Sequence, residues 1–221
     1  MALPLLRTLG DIRSDIQSRC GFGSAGQAGV VNSALIDSMI RSAQKQLYEQ
    51  FEWRVLDGVS ERLTGADQQY YDYPEDCNLE EIKLIAINWG GRFRPLKEGI
   101  NLEHRSLPST GVPERYERRD QYELWPIPIS NQYTIRLEYT KVLKPLVVDS
   151  DRVSINDEII FLFALSTAKQ HYKQDDAATY STQLDALLLR LKAKNRGKQV
   201  WDKRDKCPPD PYRYVTSDQD V

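Results

Sequence analysis

Hydrophobic residues recur at helical spacing near both ends of this chain and alternate with polar ones through its middle, a change of period that one class of secondary structure cannot satisfy. Leu5, Leu9, Ile12 and Ile16 follow one another at steps of four, three and four, which places them on one helical face and predicts a first helix from about Pro4 to Arg19. Cys20 to Gly29 is Gly-rich and reads as a connection. A second helix, capped by Asn32 or Ser33 and ending near Phe51, points Ile36, Met39, Ile40, Ala43, Leu47 and Phe51 inward and turns Arg41, Gln44, Lys45 and Glu49 to water.

From Trp53 the pattern becomes extended, with strands expected over Trp53 to Thr64 and around Gln69 to Tyr73. The apolar run ending at Trp89 and the run Arg92 to Leu96 flank Gly90-Gly91, a two-residue hairpin signal, and Pro95 assigns the second arm to an edge or a strand end. Arg115 to Arg119 and Tyr122 to Trp125 form a further candidate pair. Tyr133, Ile135, Leu137 and Tyr139 alternate with Thr134, Arg136, Glu138 and Thr140, as in a strand with one buried and one wet face. Helical spacing then returns. Ser154 or Asn156 caps a third helix whose stretch Ile159 to Leu165 is apolar on all sides and which ends with Ala168 and Tyr172 inward; a fourth carries Tyr180, Leu184, Leu187, Leu188 and Leu191.

The expected architecture is therefore α+β: an antiparallel bundle of about four helices from residues 1–52 and 152–196, an inserted antiparallel β lobe from 53–151, and an extended C-terminal arm over 197–221. The arm contains Pro208, Pro209 and Pro211 among Trp201, Tyr212 and Tyr214, which reads as extended chain. The 221 residues, 40% hydrophobic and 28% charged, suffice for a buried core and fit neither a disordered chain nor a disulfide scaffold. There is no run of 18 apolar residues and no signal-peptide pattern at Met1 to Arg7, so a soluble protein made in a cytoplasm is expected.

Catalytic chemistry finds few anchors. Cys20, Cys77 and Cys207 are odd in number and widely spaced, the pattern of reduced thiols rather than a disulfide framework or zinc knuckle. His104 and His171 lack partners at metal-ligand spacing, so no metal or cofactor is expected. The stretch Gly21 to Gly26 superficially resembles a serine-hydrolase elbow and Cys20 to Gly29 a phosphate loop, but neither follows a strand. The acid pairs Glu80 with Glu81, Asp149 with Asp151 and Asp175 with Asp176 read as turns or caps, or alternatively as the acid and nucleophile of a carboxylate-based glycan hydrolase.

Charge is distributed unevenly. The net charge of -2 argues against a protein that coats nucleic acid, yet Arg190 to Lys206 contains eight basic and two acidic residues. One reading is a solvated helix end in which the cations complement the dipole; the other is docking onto an acidic protein surface or DNA phosphates, with the aromatic arm supplying apolar anchors. On the second reading the partner-binding residues are Arg190, Lys194, Lys198, Trp201, Arg204, Tyr212 and Tyr214.

The order of parts, with Val112-Pro113-Glu114-Arg115-Tyr116, Leu124-Trp125-Pro126-Ile127-Pro128, Tyr133 to Tyr139, and Asp149 before a helical pair, resembles the head-to-tail connector adaptors of tailed bacteriophages across residues 31–195. This resemblance implies a structural, non-enzymatic virion protein at the head-tail junction. It implies a homo-oligomeric ring of twelve copies beneath the portal protein that closes the DNA-filled head, faces packaged DNA in its lumen and offers a platform to the next tail or nozzle protein. It also implies that the C-terminal arm reaches the portal and that no membrane is involved.

Overall fold

The computed structural model describes residues 6–22, 27–106 and 109–195. The first helix, α1 (Leu9–Arg19), starts later than its apolar spacing suggests, because Thr8 and Asp11 form a capping box that fixes the start. Thr8 Oγ1 accepts from the Asp11 amide and Asp11 Oδ2 accepts from the Thr8 amide, both at 3.1 Å. Leu9, Ile12 and Ile16 are buried as their spacing requires, while Leu5 lies outside the described residues.

Helix α2 (Gln27–Gln50) departs from expectation in the other direction: it begins five residues before the predicted cap at Asn32, so Asn32 and Ser33 sit inside it. Once a helix is nucleated, adding a turn gains a hydrogen bond per residue, which outweighs the roughly 1 kcal/mol disadvantage of Gly29. Gln44 is a second correction, since it is buried. The chain returning from the sheets crosses that face of α2, and Gln44 accepts from the Ser154 amide at 3.2 Å and donates to the Lys144 carbonyl at 3.3 Å. Arg41 donates to the Leu146 carbonyl at 2.7 Å and Tyr48 to the Lys141 carbonyl at 3.2 Å. A polar stripe on α2 thus holds the return segment.

After a 3-10 turn at Arg54–Leu56, where strand was expected, come β1 (Asp57–Leu63), β2 (Tyr70–Tyr71), β3 (Cys77–Trp89), β4 (Arg92–Pro95) and β5 (Lys97–Glu98). A short helix that the sequence pattern did not reveal, α3 (Leu102–Ser106), precedes β6 (Thr110–Gly111), β7 (Arg115–Arg118), β8 (Tyr122–Trp125), β9 (Ile127–Pro128) and β10 (Thr134–Lys141). One four-stranded sheet has the order β1-β10-β3-β4 and another β2-β8-β7-β5. Gly90 and Gly91 carry φ of 63° and 78° in the β3–β4 hairpin, the left-handed pair that a tight turn between twisted strands demands. The pairing is antiparallel except at the two-residue contacts β5 with β7 and β6 with β9, which are parallel. The inner faces of the two large sheets share one core, with Ile85, Ile87, Ile135, Leu137 and Tyr139 from the first and Tyr71, Tyr116, Tyr122 and Leu124 from the second.

Helix α4 (Asp157–His171) is capped by Asn156, whose Oδ1 accepts from the Glu158 and Ile159 amides. Its apolar stretch is buried on nearly every side because α2 and α5 (Ala177–Asn195) both pack on it, with α1 also in contact. The helical core takes in Trp53, Leu56, Leu146 and Val153 from the connecting segments. Among the described residues no helix is long and apolar enough to cross a membrane.

Candidate partner-binding surface

Helix α5 is positioned from its first turn by a buried lysine. Lys169 Nζ, with its side chain only 5% exposed, donates to Asp176 Oδ2 at 2.6 Å and Gln174 Oε1 at 2.9 Å and lies over the Tyr180 ring. Gln174 in turn donates to the Cys20 carbonyl at 3.1 Å, and Lys173 turns the chain with a φ of 51°. One ammonium therefore fixes the angle at which α5 leaves α4 and ties that corner to the end of α1. Burial of Cys20 against this corner pushes its thiol up from the usual value and keeps it a neutral apolar group.

The apolar side of α5 behaves as its spacing predicts. Leu184 is buried and Tyr180, Leu187, Leu188 and Leu191 pack against the helical core. Leu189, 67% exposed, and Arg190 lie on the opposite side, facing water. Lys192 places its ammonium 4.9 Å from the centre of the Phe51 ring at the end of α2, so the basic run begins by wrapping around the helix, one cation outward and one onto an aromatic. Of the seven candidate partner-binding residues, Arg190 alone has a described side chain; Lys194 belongs to α5 by its backbone, and Lys198, Trp201, Arg204, Tyr212 and Tyr214 lie outside the described residues.

Of the acids that could have served hydrolysis, Asp149, Asp151 and Asp176 are engaged in holding the fold. Arg13 donates to Asp37 at 2.6 and 2.8 Å and to Asp149 at 2.7 and 3.2 Å, bridging α1, α2 and the return segment. Those hydrogen bonds hold the Asp149 carboxyl below the usual range. Asp151 accepts from the Val147 and Val148 amides at 2.6 and 2.7 Å, which lowers its pKa too, and Asp176 is the partner of Lys169. His104, expected in a loop, is in α3 with its ring 4.1 Å from Trp125 and its Nδ1 accepting from the Asn101 amide. His171 closes α4 edge-on to Tyr172. In the sheets a buried acid does appear: Glu123 accepts from Gln69 at 2.8 Å and Arg105 at 3.2 Å, fastening α3 to β8.

A family model described as SU10 adaptor protein matches residues 7–205. The chain belongs to the SU10 adaptor protein family. The matched span takes in every helix and strand described above and continues past the end of α5 into the basic segment. Membership agrees with the phage-adaptor resemblance read from the sequence and places the chain in a family of structural adaptor proteins. No single curated protein matches the chain. Sequence reasoning missed Lys169, because a lysine at the end of an amphipathic helix reads as solvated, and it missed the outward apolar Leu189 beside Arg190. The second was legible in principle, since Leu189 falls off the spacing of the other leucines.

Proposed function

We propose that this protein is a structural adaptor of a tailed phage, forming a ring, with twelve copies as the expected number, between the portal and the tail at the head-tail junction. The observation that carries the reading is the family match from residue 7 to residue 205, which includes both cores and nearly all of the basic segment. The ring closes the DNA-filled head and presents the β lobe to the next tail or nozzle protein.

Portal capture is assigned to α5 and the chain that follows it. Arg190, Lys194, Lys198 and Arg204 supply positive charge that steers the encounter with an acidic surface, and Trp201, Tyr212 and Tyr214 supply the apolar anchors. The rigid seat of α5 on α4 supports this assignment, because a helix fixed at its start carries whatever follows in a defined direction. Light scattering of the chain alone and mixed with portal rings tests the reading. A monomer that becomes a large complex only with portal is the expected result, and truncation after Arg196 should leave a folded monomer that no longer binds. A full-length chain indifferent to portal, or a truncated one that binds unchanged, refutes it.

A further inference from the structure

The first sheet ends in two strands with no strand beyond them among the described residues, β1 on one side and β4 on the other. Such edges are templates for another strand unless the protein blunts them. The β1 edge is little blunted: its pairing with β10 runs without a bulge over all seven residues, and Val59 and Leu63 are 54% and 63% exposed on the outer face of the sheet. The β4 edge is short, ends at Pro95, and exposes Phe93 to 40% on that same outer face, with Arg92 and Arg94 on the other.

The two edges complement one another in direction and in hydrogen bonding. Every neighbouring pair in the order β1-β10-β3-β4 is antiparallel, so β1 and β4 point in opposite directions. A β4 laid beside the β1 of another copy continues the alternation. Thr64 N donates to the Tyr133 carbonyl at one end of β1, and Leu96 N to the Ile85 carbonyl at one end of β4. Because antiparallel pairs alternate between bonded and non-bonded, the free backbone groups of β1 belong to Asp57, Val59, Glu61 and Leu63, and those of β4 to Phe93 and Pro95. Both sets carry their side chains on the outer face, so any register that joins the free backbone groups also matches the faces.

Charge excludes pairing of β4 with itself and selects the register of β4 against β1. Two β4 strands cannot pair in this way, because every register that joins their free backbone groups sets arginine against arginine. Against β1, two such registers keep all of β4 within the strand. With Phe93 opposite Glu61, Arg92 meets Arg62; with Phe93 opposite Val59, Arg92 meets Ser60, Arg94 meets Gly58 and Pro95 meets Asp57.

We propose that β4 of one copy adds to β1 of the next, Phe93 opposite Val59, so that neighbouring copies share a continuous antiparallel sheet. The contact is head-to-tail, joining two different surfaces of the same chain, and it closes into a ring when the rotation between copies closes. It rests on the adaptor-ring reading and names the surface that builds the ring.

Disulfide trapping in the full chain tests it. Directly opposed bonded residues stand about 5.5 Å apart at Cα, inside the range a disulfide spans. In a Cys207→Ser background, the double variant Val59→Cys with Phe93→Cys, oxidised at high concentration and again on portal rings, should give a ladder of linked copies rising to the closed ring. Either single variant should give none. A double variant that forms no ladder overturns the inference, as does a Val59→Cys chain that forms dimers alone, since that is β1 pairing with itself. A second variant, Val59→Pro, removes one outward amide while leaving the β10 ladder intact; its melting should match the parent while copy-to-copy association falls at least tenfold. Unchanged association overturns the proposal. Portal binding without a ladder sinks the edge contact and leaves the adaptor reading standing; a ladder without portal binding does the reverse.

Discussion

Arg13 holds two carboxylates of opposite exposure with one guanidinium, and this makes the helical cluster testable by a single substitution. Its bidentate bonds to Asp37 are 2.6 and 2.8 Å long, and the two side chains are 17% and 13% exposed, whereas Asp149 on the other side is 71% exposed. Arg13→Met keeps most of the alkyl stem that packs beneath the charge but strands the Asp37 carboxylate where water reaches it poorly. Breaking a buried pair from one side costs about 3–5 kcal/mol, and the residual exposure of both groups puts this case near the lower end, about 3 kcal/mol. At roughly 2–4 °C per kcal/mol for a chain of this size, the melting temperature falls by roughly 6–12 °C. Asp149→Asn should cost much less, because its carboxylate is hydrated with or without Arg13. The double variant Arg13→Met with Asp37→Asn should recover a large part of the loss, since no charge is then stranded. Urea unfolding of the parent, Arg13→Met, Asp37→Asn and the double variant gives the Arg13–Asp37 coupling directly. If Arg13→Met and Asp149→Asn cost the same, or if the double variant is no more stable than Arg13→Met, burial is not what sets the cost and the reasoning fails.

Gly58→Ala should lower stability by about 1–3 kcal/mol, because the added methyl would stand 2.8 Å from two ring carbons of Tyr139, itself buried and tied by its hydroxyl to Asp76 at 2.6 Å; a denaturation midpoint equal to the parent's would contradict this. Asp149 and Asp151 both have carboxyl pKa values held below the ordinary 3.8, the first by hydrogen bonds from Arg13 and the second by those from the Val148 and Val147 amides. The unfolded chain therefore binds more protons in that range, so their contribution is full above the ordinary value and is lost as pH falls below it. Acid titration should show stability flat above that window and falling within it, with a shallower fall in Asp151→Asn; a parent curve that stays flat through the window would refute the assignment. Leu184→Ala, which opens a cavity under α5, should cost about 2–4 kcal/mol. Leu189→Ala on the outer side should stay within about 0.5 kcal/mol of the parent in melting and weaken portal capture.

Much of the fold was legible from period and punctuation. Ile36, Ile40, Ala43 and Leu47 are buried along α2, and Gly90-Gly91 closes the β3–β4 hairpin, because apolar spacing and left-handed glycines act within a few residues. The Asn156 cap and the inward line of Ile135, Leu137 and Tyr139 were read for the same reason. Element ends were read less well. The start of α1 depends on a capping box whose signature, Thr8 with Asp11, could have been found; the early start of α2 depends on propagation from a helix already held in place. The candidate partner site was read only from composition, as a charge run followed by aromatics, because its residues beyond Asn195 carry no period that would place them against a surface.

By itself the sequence determined the class of most segments, the 3-10 turn at Arg54–Leu56 and the short α3 excepted: helices at both ends, strands between, an aromatic and basic stretch at the close, since these follow from local spacing, charge and turn chemistry. Tertiary structure decided where polar groups could lie buried. The spacing of α2 turns Gln44 to water, yet it is buried because a distant segment, the return chain, brings it partners; Lys169 is buried where the Gln174–Asp176 turn folds back on it and α5 packs on α4. It also decided which strands are left without a neighbour among the described residues, for that depends on the order of the whole sheet, and strand order is a relation among segments that no one of them encodes.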